Sequence, residues 1–310
     1  MTTTDAARLT TTDPGRVTTT DAARRAERKQ TLTAWLLLAP GALIVLALAV
    51  VPLLLIARNS VAEGDVYGGV TGGFTLEHYA QFADPVYAKT LGYSLGMAAL
   101  NTAVCLVVGY IVSYYIVSQP AHRQPLLLLL IIIPFWTDFL VRTFAWITLL
   151  GSGGPVIALL AVLGVEAGSI VPSQTAVVFA LLYAFLPTAV FPIYAAMRGI
   201  DPSLREAAAD LGCGWWRTHA KIIAPLSSTG IVAAALLTFV PTLGVFVIPV
   251  LLGGGKELLV GNLIVTLYTE FRNQPMGAAL SIVVLLLMLV SIAVAGLLIK
   301  IFNRRTRWTA

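Results

Sequence analysis

Residues able to make and break bonds are few in this chain, and their spacing argues against an enzyme. The three histidines, His78, His122 and His219, fall in separate loops, and no H-E-x-x-H run sets two of them on one helix face. Cys105 and Cys213 are far apart and lack C-x-x-C spacing, which excludes a thiolate metal site and a disulfide framework alike. A phosphate-binding loop needs backbone N–H groups opening a helix, a lysine, and a Ser or Thr for magnesium. The nearest string, Gly253-Gly254-Gly255-Lys256, continues with Glu257 instead. No phosphate-binding loop and no cofactor are therefore expected in this chain.

What remains is a pair of charges inside an apolar run. Asp138 precedes Arg142 by four residues in PFWTDFLVRTFAW, which starts at Pro134. On one continuous helix the two share a face, with the acid N-terminal. A charge within a membrane span costs roughly 2.5–3.5 kcal/mol on insertion scales, so the pair is expected to face the protein interior. Two readings stay open. The pair is a structural ion pair between helices, or Asp138 offers its carboxylate to an ammonium while Trp136 supplies an aromatic face. Arg142 weakens the second reading by neutralising the acid. Tyr183, Phe239 and Thr242 are further candidates along such a path, each open to plain packing instead. Glu257, Glu270 and Asp84 fall in outer loops, where they either meet a partner or a polycation or are simply solvated.

The elements that must position these residues are membrane spans. The chain of 310 residues is 58% hydrophobic and only 11% charged, less than half the charge usual for a soluble domain. The net charge of +5 does not point to nucleic acid, because the basic residues sit at the ends of apolar runs rather than on one dense patch. Runs near 34–57, 91–117, 126–150, 174–197, 228–252 and 276–301 each satisfy the length of roughly 20 apolar residues that a helix needs to cross a bilayer. Prolines within them, such as Pro40, Pro52, Pro187 and Pro192, are tolerable where neighbouring helices satisfy the freed carbonyls. Gly92 and Gly96 form a small-xxx-small pair at the start of the second run, a weak packing signal. Residues 1–33 are polar, contain the string TTTDAAR twice, and are expected to be a disordered tail. The loop after Arg58 is rich in Gly and aromatic residues, and its FTLEHYAQF from Phe74 is expected to pack as short helices.

Orientation follows from lysine and arginine. Fifteen of them lie in the N-terminal tail, the second–third and fourth–fifth loops and the C-terminal tail, against four in the opposite loops. Both termini are therefore expected in the cytoplasm.

The segment between the fourth and fifth runs is the informative one: GIDPSLREAAADLGCGWWRTHAKIIAPLSSTGI, from Gly199. Asp201 suits a helix N-cap with Pro202 at the first position. Gly212 suits a left-handed C-terminal stop. A second short helix fits Trp215 to Ile223, before Pro225. Alanines let another surface approach closely, and Arg205, Glu206 and Asp210 offer it charge. The pattern resembles the EAA loop of binding-protein-dependent importer permeases, in which EAA is followed by three residues, Gly, nine residues, then I-x-L-P. Glu206-Ala207-Ala208, Gly212, Ile222 and Pro225 match, and Ala224 stands where that family usually has Leu.

That resemblance implies an all-α integral membrane protein with the type I ABC importer permease fold: a six-helix domain over 34–302, a coupling loop over 199–226 and a short tail over 303–310. It implies that Glu206 to Gly212 docks in a cleft of an ATPase subunit. Further strings, FLPTAVFPIYAA from Phe185 and IPVLLGGGKELLVGNLI from Ile248, resemble the spermidine/putrescine permease branch. Such permeases work in a bacterial inner membrane with a sister permease, usually a different chain, a dimer of ATPase subunits and a soluble substrate-binding protein. Opines, aminophosphonates, sulfate and iron are alternative cargoes of that branch and its relatives. A secondary transporter would show internal repeats and several buried acids. A membrane enzyme would need paired carboxylates or a metal motif in a span, and the sequence has none of these features.

Overall fold

The computed structural model describes residues 15–65, 67–164, 168–255 and 258–306, with side chains between 38 and 301. The first TTTDAAR copy, Lys256, Glu257 and residues 307–310 lie outside the described residues. The chain divides into two units, Met1–Leu55 and Ile56–Ala310.

From residue 15, the first unit is helix α1, Gly15–Ser60, which runs on past the unit boundary. Its Leu38–Ser60 stretch is long and apolar enough to cross a membrane. Residues 15–33, expected to be disordered, extend this helix instead. The run AARRAERKQ consists of strong helix formers, so the span propagates into it at little cost.

The second unit opens with an antiparallel hairpin of β1, Ala62–Gly64, and β2, Val70–Phe74. This small sheet is the one departure from the all-α expectation among the described residues. FTLEHYAQF then forms α2, Glu77–Ala80, and a 3-10 turn, Gln81–Ala83. The helices that follow are α3 (Pro85–Val117), α4 (Gln124–Ile132), α5 (Phe139–Leu150), α6 (Pro155–Val162), α7 (Gln174–Arg198) and α8 (Ser203–Asp210). Next come α9 (Trp215–Thr218), a π turn (His219–Ile223) and α10 (Ala224–Leu226). The last four are α11 (Ser228–Gly244), α12 (Val247–Gly253), α13 (Val260–Thr269) and α14 (Gln274–Thr306).

Five helical stretches are each long and apolar enough to span, and Trp215–Leu226 with Ser228–Gly244, bent by 73°, makes a sixth if counted as one. The third expected run, 126–150, is broken. A 3-10 turn, Ile133–Trp136, ends α4, Thr137 is extended, and α5 begins afresh after Asp138. The fifth run breaks similarly at Val245.

Helices α3, α7 and α11 pack on one another at the centre of this unit. Close approach is permitted by glycine at two points. A Cβ on Gly109 would sit 3.2 Å from that of Ala189, and a Cβ on Gly230 would sit 2.5 Å from that of Ala196. Gly92 and Gly96 do not serve in this way, since a Cβ at either meets open space. Hydrogen bonds fix the register of the bundle. Asn101 Nδ2 donates to Thr242 Oγ1 (3.0 Å), the Ser113 hydroxyl to the Val190 carbonyl (2.9 Å), and the Val260 N–H to Ser94 Oγ (2.7 Å). Without water to substitute, each such bond is hard to exchange in a bilayer.

Candidate functional site

The segment from Asp201 to Leu226 is built by local backbone chemistry. Asp201 Oδ1 accepts the Ser203 N–H at 2.9 Å, opening α8, and this bond holds its carboxyl below the usual range. Helix α8 ends at Gly212, whose φ is +72°. The Gly212 N–H reaches the Ala209 carbonyl and the Cys213 N–H reaches the Ala208 carbonyl, both at 2.9 Å. That pair of bonds is a Schellman stop, which satisfies two carbonyls and needs a left-handed residue at this position. Ala208 is buried, while Glu206, Ala207, Asp210 and Leu211 are exposed and Arg205 is half-buried. Leu211 is 84% and Trp216 79% exposed. Both apolar groups lie on a polar loop, Leu211 just after α8 and Trp216 on α9.

The second half of the segment is seated in the bundle. Ile223 is buried with Cys105, Ala189, Ile193 and Met197. Ile222 and Pro225 are half-buried. His219 lies among Tyr110 and Tyr114 of α3 and Trp215 of α9. Its Nδ1 is hydrogen-bonded to the Tyr110 hydroxyl at 2.9 Å. Ring centroids stand 4.3 Å from Tyr114 and 4.1 Å from Trp215.

The charged residues of the broken third run are arranged otherwise than expected. Asp138 is an N-cap, and its Oδ1 accepts the Leu140 and Val141 N–H groups at 2.8 and 3.3 Å. It is outside the helix that carries Arg142, so the predicted shared face does not exist, and the two form no ion pair. Arg142 instead lies over the Phe135 ring at 4.8 Å and the Tyr183 ring at 5.9 Å. Its Nη2 donates to the Thr137 carbonyl at 3.3 Å. Its Nε and Nη1 are buried without a partner among the described residues. Trp136 is 78% exposed at the end of α4. Tyr183 meets Trp146 edge-on at 5.6 Å.

The comparisons with known proteins agree with this architecture. Residues 108–308 match the family described as the binding-protein-dependent transport system inner membrane component. The spermidine/putrescine transport system permease protein PotB of Salmonella typhimurium is 38% identical over 258 residues, 83% of this chain and 88% of that protein. PotB of Escherichia coli K12 is 37% identical over 258 residues, 83% of this chain and 91% of its own length. The chain belongs to this family of permeases. A bacterial alginate ABC transporter, solved in complex with an alginate pentasaccharide-bound periplasmic protein, superposes with a TM-score of 0.71 at 15% identity. The match covers 88% of this chain and 94% of that one. The permease thus has the type I importer fold, and it is a multi-pass membrane protein whose family carries out transport rather than bond chemistry.

The remaining path candidates of the permease do not converge. Thr242 is buried and committed to Asn101 and to the Thr238 carbonyl. Phe239 lines a separate apolar groove of about 470 Å³ among α3, α11 and α14. Glu270 lines an open bowl of about 730 Å³ with Glu63, Asp65, Glu77 and Arg272. Asp84 caps α3 by accepting the Val86 N–H at 2.9 Å. Only Arg142 and Tyr183 are brought together. The residue that sequence reasoning missed is His219; its place four residues after Trp215 puts the two on one helix face, but nothing local points to its bond with Tyr110.

Proposed function

We propose that this permease forms, with a sister permease that is a different chain, the transmembrane path of a type I ABC importer for polyamines such as spermidine and putrescine. The importer reading is carried by one observation, the Schellman-capped α8 with its exposed Ala207, followed by the exposed Leu211 and Trp216. A short helix that is rigid at its C-terminal end and half-seated in the bundle suits insertion into a cleft of an ATPase subunit. ATP and magnesium bind that subunit dimer, and a soluble binding protein delivers the solute from outside. The two PotB relatives, each above a third identical across most of both chains, support the polyamine assignment. The excess of Lys and Arg on one set of loops supports an inner-membrane topology with both termini in the cytoplasm.

In this scheme ATP binding closes the ATPase dimer and drives α8, which opens the path outward. Hydrolysis resets it. The test is uptake of labelled spermidine into vesicles holding the permease, its sister, the ATPase and the binding protein, with putrescine, an opine and sulfate in parallel. Saturable, ATP-dependent spermidine uptake is expected. Carriage of another compound in place of spermidine retains the importer and discards the polyamine. Transport by this chain alone in liposomes, without an ATPase, overturns the importer itself.

A further inference from the structure

We propose that His219 is the positioning residue through which movement of α8 reaches α3, an inference that rests on the ATPase-coupling reading above. Three observations converge on it. First, His219 is only 6% exposed, yet it sits in the segment that links the exposed α8 to the bundle. A histidine buried this deeply carries two polar nitrogens into the interior, which costs free energy unless they are used. Second, the one nitrogen with a partner is bonded to α3. The Tyr110 hydroxyl lies 2.9 Å from Nδ1, while the ring packs on Tyr114 one turn further along the same helix. Third, the backbone there is the five-residue π turn His219–Ile223. Such turns interrupt α-helices frequently at functional sites. Here the turn starts at the residue that reaches α3 and ends at Ile223, which is buried against α7.

The other ties of the segment are of a different kind. Ile223 holds by apolar packing alone, which permits sliding. Arg205 of α8 borders a small void with Tyr114, Val117, Met197, Ile200 and Ile223, so α8 itself meets the ends of α3 and α7. Among the described residues, the His219–Tyr110 bond is the directional side-chain link between the loop and a spanning helix. Helix α3 in turn is bonded through Asn101 to Thr242 of α11 and through Ser113 to α7, so a displacement of Tyr110 is carried along the central bundle.

The test uses the assembled transporter with saturating binding protein. It measures ATP hydrolysed per solute molecule taken up, the solute being spermidine or whichever of putrescine, opine and sulfate the wild type carries. Co-purification of the ATPase is scored separately. His219→Phe keeps the ring and removes the nitrogens, Tyr110→Phe removes one oxygen, and His219→Asn returns a polar group near the Nδ1 position. ATPase co-purification is expected to stay at the wild-type level in all three. The ATP-to-solute ratio is expected to rise about five-fold in His219→Phe and in Tyr110→Phe, the factor that one net hydrogen bond carries. His219→Asn should restore most of it, and the double Phe variant should be no worse than either single one. A wild-type ratio in Tyr110→Phe overturns the proposal and leaves His219 as packing. If His219→Phe fails to accumulate, the single-oxygen change at Tyr110 still decides. A wild-type chain that binds no ATPase overturns the coupling reading beneath it.

Discussion

The loop from Asp201 to Leu226 and the break between α4 and α5 are both interruptions of an otherwise helical chain, and they differ in how their buried polar groups tie them to the bundle. In the loop, the last carbonyls of α8 are satisfied by the turn at Gly212, and the buried His219 meets Tyr110 through Nδ1, while its Nε2 is buried without a partner among the described residues. At the break, Asp138 caps α5, but Arg142 keeps two buried donors without partners among the described residues. An interruption tied by a directional bond to a spanning helix is stiff and transmits force. One with unmet donors holds binding capacity in reserve for a group that arrives. The first suits a joint, the second a path or an interface.

The largest expected effect lies in the joint. A Cβ on Gly212 meets nothing within 4 Å, so the cost of substitution is backbone strain and not collision. Holding a non-glycine residue in the left-handed region costs about 1–2 kcal/mol, and a β-branched one suffers most. Gly212→Val should fray the end of α8 and abolish ATP-dependent uptake while membrane insertion, read by fractionation, stays normal. Gly212→Asn should retain most uptake, because Asn visits this region readily. Equal uptake in the two variants would remove the distinction between a stiff joint and an ordinary loop.

A smaller effect is expected at Asp138. As a cap, it should cost about 0.5–2 kcal/mol when changed to Ala and little when changed to Asn or Ser, both of which cap well. Thermal unfolding in detergent reads the first effect and uptake reads the second. If Asp138→Asn folds normally yet loses uptake, the carboxylate itself serves the path, and the break is a solute site rather than a capped end.

How much of this was legible depended on the reach of the interactions. The cap at Asp201 and the stop at Gly212 are fixed by residues within a few positions, so composition and spacing reveal them. The break at Asp138 also had a local signal, since Asp precedes an apolar run and Pro134 lies upstream, but the length and overall apolarity of 126–150 outweighed it. The hairpin from Ala62 to Phe74 was hidden because VTGGF lacks the alternation that marks a strand. His219 was passed over as one of three scattered histidines because its partner, Tyr110, is 109 residues away, and no local pattern announces that pairing.

The smallest effect on stability is expected at Arg142, and its sign is informative. A buried donor left unpaired costs about 1–3 kcal/mol, so replacing the guanidinium with an apolar group of similar length removes a penalty along with the stacking on Phe135 and Tyr183. These contributions oppose each other, so Arg142→Met should leave the unfolding temperature of the isolated permease unchanged or slightly raised. In the assembled transporter the balance differs if the sister subunit or the solute supplies an acceptor to Nε and Nη1. Arg142→Met should then lower the stability of the complex, or uptake, while sparing the isolated chain. A clear loss of stability in the isolated chain would mean that the donors are satisfied within it, and the contrast between a closed joint and an open break would fail at the break.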